Sequence, residues 1–216
     1  DLSQYKRIVP IGIADCITEL SAGVIVFAFN HQILSIIGTS GVVSYTVMTY
    51  VYNLVLMVFV GIAQGCQPLV SHAVGQQDSK TIKLVYRYGL TAVALASVLC
   101  FGGCWIFTPQ IVSVFIRPQE TALFGSTVAA FRLYSFCFLI MGYNVLTSGF
   151  FVALAKPKAA LTLSMARGIV VILICLFVMS SAFGALGIWL TPTVSEGLCL
   201  ILSFILLIKV KSRAAA

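Results

Sequence analysis

Residues 61–75 read GIAQGCQPLVSHAVG and lie late in a long apolar segment that begins near Val42. Three glycines, two glutamines and a proline stand where a lipid-embedded helix is normally plain Leu and Val. Pro68 has no amide hydrogen, so the carbonyl of Gln64 loses its helical partner. In lipid, that carbonyl has to be satisfied by protein or water. Gln64 and Gln67 are costly against acyl chains, which turns them toward the bundle or a wet cavity. Two readings follow. One is a helix bent near Pro68 whose polar inner face lines a transport path. The other is a kinked packing helix whose glutamines bind helix to helix.

Composition sets the class. Only 9% of the residues are charged and 60% are hydrophobic, against roughly a quarter charged in a soluble domain. The chain reads as an all-α integral membrane protein. Period-two alternation, the mark of a membrane barrel, is missing. The start at Asp1 shows no cleavable leader and reads as a cut from a longer chain. All seven cysteines fall in apolar segments. Cys100 and Cys104 share a helix face without a nearby histidine or carboxylate, so they read as small hydrophobes, and no metal site is expected.

The hydropathy pattern predicts six spans within a single bundle over 1–216. They cover about 8–37, 42–74, 84–107, 122–155, 159–183 and 186–208, each longer than the ~20 residues a bilayer needs. The breaks are GTSG at 38–41, GQQDSK at 75–80, a proline-flanked TPQIVSVFIRP at 108–118, AKPK at 155–158 and FGA at 183–185. Asp78 or Ser79 can cap the third helix and Pro157 can open the fifth. A short interfacial helix is expected between Phe107 and Gln119.

The charges are one-sided. Lys6, Arg7, Lys80, Lys83, Arg87, Lys156, Lys158, Lys209, Lys211 and Arg213 flank one set of helix ends, and Arg117 stands beside Glu120 on the other. The positive-inside rule then places both termini in the cytoplasm of a multi-pass protein of the cell membrane. It also accounts for most of the net +7, so a nucleic-acid partner is not implied.

The run GIAQGCQPLVSHAVGQQD resembles the second C-terminal helix of multidrug and toxic compound extrusion (MATE) transporters, through Gly61, Gln64, Gly65, Gln67, Pro68, Leu69, Val70 and Gly75. FFVALAKPKAALTLSMARG, residues 150–168, resembles the family's fourth-to-fifth helix crossing, with Ala155 where glycine is usual. GALGIWLTPTVSEGLCLILS, residues 184–203, resembles its last helix, including an acidic residue at Glu196. The segment 129–134, with Arg132, fits the start of the fourth. The resemblance implies a six-helix bundle that is the second half of a twelve-helix fold, with the N-terminal six-helix half as its partner.

Intramembrane polar residues are the candidate site. At about 1.5 Å per residue from the inner helix ends, Asp15 lies ~10 Å deep, Glu19 ~16 Å, Gln64 and Gln67 ~12–17 Å, Arg167 ~15 Å and Glu196 ~20 Å. Arg167 and Glu196, on adjacent helices, form the natural structural pair; alternatively Arg167 pairs with Glu19 or lines the path. Asp15 and Glu19 share a face one turn apart, so one of them should hold a proton or share a cation. The resemblance gives the ion-coupling role to Glu19, for sodium or a proton. Asp15, which the family does not support, alternatively snorkels to the inner surface. The aspartate that some sodium-coupled members carry in the fourth helix is missing from 136–144, where Tyr143 and Asn144 are the strong oxygen donors. Tyr45, Tyr143 and Met141, together with Asn144, Gln64 and Gln67, are the residues expected along a substrate path; packing is the alternative for each. His31 and His72 lie near opposite membrane faces and read as interfacial.

The resulting expectation is half of a cation-coupled antiporter exporting amphipathic or cationic organic molecules by alternating access, with no organic cofactor. A flippase for lipid-linked oligosaccharides, in the same superfamily, and a non-transporting membrane subunit are the rivals. An enzyme is not expected, because two histidines on opposite membrane faces cannot cooperate.

Overall fold

The computed structural model describes residues 23–214, and its regular elements within them are helical. Helix α1 covers Gly23–Ile36 of this range. It is followed by α2 (Thr39–Gly75), α3 (Ser79–Ile106), α4 (Thr108–Phe115), α5 (Thr121–Ser135), α6 (Phe138–Ala153), α7 (Pro157–Met165), a π-helical turn (Ala166–Val170) and α8 (Val171–Ala214). The architecture is an all-α membrane bundle.

Helix α2 is 37 residues long, about 55 Å at 1.5 Å per residue, so it must tilt or project beyond a ~30 Å hydrocarbon layer. It stays helical through Pro68, which is exposed. Its C-terminus closes with the N–H of Asp78 donating to the carbonyl of Ala73 at 2.9 Å, around Gln77 in the left-handed region at φ 57°. Asp78 then caps α3: its Oδ1 accepts from the backbone N–H groups of Lys80 at 3.0 Å and Thr81 at 3.1 Å. The Thr81 hydroxyl donates to its Oδ2.

The expected short helix between Phe107 and Gln119 is α4, eight residues long with a proline in its first turn. The span expected over 122–155 differs from expectation. It is two helices, α5 and α6, bent by 42° at Phe136–Cys137. No glycine or proline marks the place. Here Cys137 N–H donates to the carbonyl of Tyr134, and Ile140 N–H to that of Cys137, both one residue short of α-helical spacing. The Ser135 hydroxyl donates back to the carbonyl of Arg132 at 2.8 Å beside the bend.

The apolar run Lys158–Val210 is 53 residues long, roughly 80 Å if straight and far more than one bilayer crossing. It turns back at Gly184, whose φ 57°, ψ −132° is open only to glycine. Three residues later the Cα of Gly187 lies so close to the carbonyl of Met179 that a Cβ would overlap it. The two arms of α8 are therefore neighbours, and Leu176 packs in the same core as Ile188 and Trp189. That core is filled by Met48 and Phe59 of α2, Phe131 of α5, and Phe138, Met141 and Leu146 of α6, none more than 2% exposed.

Candidate functional site

A polar cluster interrupts this apolar interior where α6 meets the two arms after Pro157. Glu196, on the second arm of α8, is 4% exposed. Its Oε1 lies 2.8 Å from Arg167 Nε, the one ion pair among the described residues. Its Oε2 accepts from Asn144 Nδ2 at 2.7 Å. The same amide nitrogen donates to the Glu196 backbone carbonyl at 2.9 Å. Asn144 Oδ1 accepts from the Ser203 hydroxyl at 2.9 Å. Asn144 is thus used at both ends of its amide, and it ties α6 to two positions of α8 that lie two turns apart. Burying a carboxylate costs several kcal/mol unless its oxygens are matched, and here both are.

Arg167 is held from the other side. It sits in the π-helical turn Ala166–Val170, a widened turn of the kind that often marks functional positions. Its Nη2 lies 3.4 Å from the Tyr52 hydroxyl of α2. The cluster therefore touches α2, α6, the π turn and the second arm of α8.

The other expected site residues separate into groups. Gln67 is half-buried at the α2–α6 interface, its Nε2 3.0 Å from where a Cβ on Gly149 would stand, a close approach that a side chain at 149 would tighten. Gln64 is exposed on the surface of α2. Tyr45 and Met141, expected on a path, are buried in the core. Tyr45 stacks on Phe29 with ring centroids 5.1 Å apart. Tyr143 is half-buried. Asp15 and Glu19 lie outside the described residues. No group of three or more His, Cys, Asp or Glu that could hold a metal occurs among the described residues. Sequence reasoning, which placed Tyr52 among the aromatics of an apolar cavity, missed its contact with Arg167, and it missed Ser203. Ser203 follows Glu196 by two turns on one face, a spacing that could have found it. Tyr52 had no local signal, since 115 residues separate it from Arg167.

The MatE family model matches residues 32–177. The chain is 22% identical over 214 residues to the multidrug export protein MepA of Staphylococcus haemolyticus strain JCSC1435, covering 98% of this chain and 46% of that one. It is 20% identical over 176 residues to MepA of Staphylococcus aureus strain MRSA252, covering 38% of that protein. Among solved structures, an outward-facing multidrug resistance MATE family transporter of the MOP superfamily superimposes with a TM-score of 0.87 at 17% identity, over 100% of this chain and 49% of that one. A MOP superfamily transporter from Pyrococcus furiosus Vc1, described as having a binding pocket of reversed polarity, does so with a TM-score of 0.82 at 18% identity, over 95% and 46%. The chain spans about half the length of the relatives it matches.

Proposed function

Because the chain belongs to the MatE family, we propose that it works as one six-helix half of a cation-coupled antiporter, exporting amphipathic or cationic organic compounds by alternating access. The partner is an N-terminal six-helix half, and the location is the cell membrane with both termini cytoplasmic. The observation that carries this reading is the buried Asn144–Glu196–Arg167 cluster. Polar bonds in hydrocarbon are hard to replace once broken, so they favour a half that moves as one body against its partner. Glu19, with Asp15 one turn away, supplies the coupling site for sodium or a proton.

The test is export by the full-length protein in proteoliposomes, with sodium and proton gradients imposed separately. Expected is uphill efflux of a lipophilic cation under one of the two gradients. Efflux under neither, from intact vesicles, would reject the antiport reading.

A further inference from the structure

Arg167 has more donors than its surroundings use. A guanidinium carries five N–H groups and no acceptor. Arg167 spends Nε on Glu196 and directs Nη2 at the Tyr52 oxygen over a long 3.4 Å. Among the described residues, Nη1 meets no acceptor, and neither does the hydroxyl proton of Tyr52. Asn144 cannot help, because both ends of its amide are engaged elsewhere. The Tyr52 oxygen accepts from Nη2, which leaves Nη1 and the Tyr52 hydroxyl proton as the uncommitted donors beside the Glu196 carboxylate. The Arg167 side chain is 22% exposed, against 5% for that of Glu196. Part of the Arg167 side chain is therefore reachable from outside the cluster, next to half-buried Tyr52.

The geometry points to an anion-accepting subsite formed by the outer edge of Arg167 and the hydroxyl of Tyr52, which takes the carboxylate of an amphipathic zwitterionic or anionic substrate. The inference rests on the transport reading, whose substrate class it narrows. Depth decides the source of the anion. Arg167 is ~15 Å along its helix from Pro157, below the headgroups, where acyl chains offer no acceptor. A planar guanidinium with two N–H groups on one edge matches a carboxylate in a way that a point charge does not. Glu196 orients the guanidinium and neutralises it at rest, so an entering carboxylate has to approach the edge away from Glu196, whose charge repels it. The π turn sets the azimuth of Arg167 toward α2, in place of the direction a regular helix would give it.

The test measures binding of two probes to the full-length transporter in detergent: a xanthylium dye bearing a free benzoate, and the methyl ester of the same dye. The pair differ at the group the subsite reads. Expected is tighter binding of the free acid than of the ester by the wild type. Tyr52→Phe, which leaves the ion pair whole, should cut that preference by about tenfold or more without changing ester binding, the loss of one hydrogen bond to a charged group. The double change Arg167→Gln with Glu196→Gln, which removes the charge without stranding a partner, should abolish it. Equal weakening of both probes, an unchanged preference in both variants, or no preference in the wild type would overturn the subsite. A lowered melting temperature of Tyr52→Phe with the preference intact would also overturn it, by giving these donors to an acceptor in the other half. Gradient-driven export of the ester is judged separately, and its absence would sink the transport reading while leaving the binding result to stand or fall alone.

Discussion

Gly187 lies against the backbone carbonyl of Met179, eight residues earlier in the same helical run. In a continuous helix these residues would be about 12 Å apart along the axis. The contact is what converts one over-long apolar stretch into two spans, and it tolerates no side chain. Gly187→Ala must push one arm off the other. We expect it to lower the melting temperature of the detergent-purified protein and its yield in the membrane, with a cost of about 2 kcal/mol, typical of a backbone overlap in a packed site. An unchanged melt would show that the turn relaxes freely.

Asn144 should be the most sensitive uncharged position. Asn144→Leu removes its bonds to the carboxylate and carbonyl of Glu196 and to Ser203. It leaves a buried carboxylate oxygen unmatched, at about 3 kcal/mol. Asn144→Asp instead places a second carboxylate beside Glu196. Two adjacent anions repel, so this variant should lose stability as pH rises, where the wild type does not. A thermal-melt series against pH separates the two effects.

Ala155 occupies the left-handed region, at φ 53°, where α6 ends. The N–H of Lys156 donates to the carbonyl of Phe151 at 3.0 Å around it, the closure that normally uses glycine. Ala155 is exposed, so removing its methyl loses little packing. Ala155→Gly should stabilise by about 1 kcal/mol. A fall in melting temperature would mean the methyl group matters more than the strain.

The Asp78 carboxyl is held below its ordinary value of 3.8, chiefly by the Thr81 hydroxyl and then by the Thr81 backbone N–H. A lowered folded-state pKa adds stability above the unfolded pKa, and that stability is lost as pH falls through the lowered value. Asp78→Ala should therefore melt below wild type at neutral pH, and the gap should close in acid below the ordinary carboxylate range. A gap that persists at low pH would assign the effect to something other than the charged cap.

Glu19→Gln should abolish gradient-driven export while drug binding weakens less, because the amide keeps the shape and hydrogen bonds but cannot exchange an ion. Asp15→Asn should hurt less. Export per folded molecule is the measurement, and near-normal export by folded Glu19→Gln would end the coupling role.

The turns and the pairing of Arg167 with a deep carboxylate were largely legible in the sequence. Glycine, proline and capping residues act locally, and an intramembrane charge needs a partner of opposite sign at similar depth. The bend at Phe136–Cys137 was not legible, because no glycine or proline marks it and the Ser135 back-bond has counterparts, such as that of Ser126, inside unbroken helix. Nor were the buried places of Tyr45 and Met141: an aromatic or a methionine in a membrane helix suits core and cavity equally, and only the facing helix decides. Asn144 was expected on a path as one of the strong oxygen donors of 136–144. Its partners, Glu196 and Ser203, lie 52 and 59 residues away.

The π turn at Ala166–Val170 has a consequence for how this chain lines up with its relatives. A π turn is an α-helix that has absorbed one surplus residue, and each residue of an α-helix advances the azimuth by about 100°. Relatives without the surplus should match this chain without gaps on either side of 166–170 and need a single-position gap inside it. Deleting one residue there would straighten the segment, but it would rotate the helix that follows by about 100° relative to Pro157–Met165, changing the direction of Arg167 relative to Glu196. The alignment gap and the direction of the guanidinium are the same fact counted in two ways.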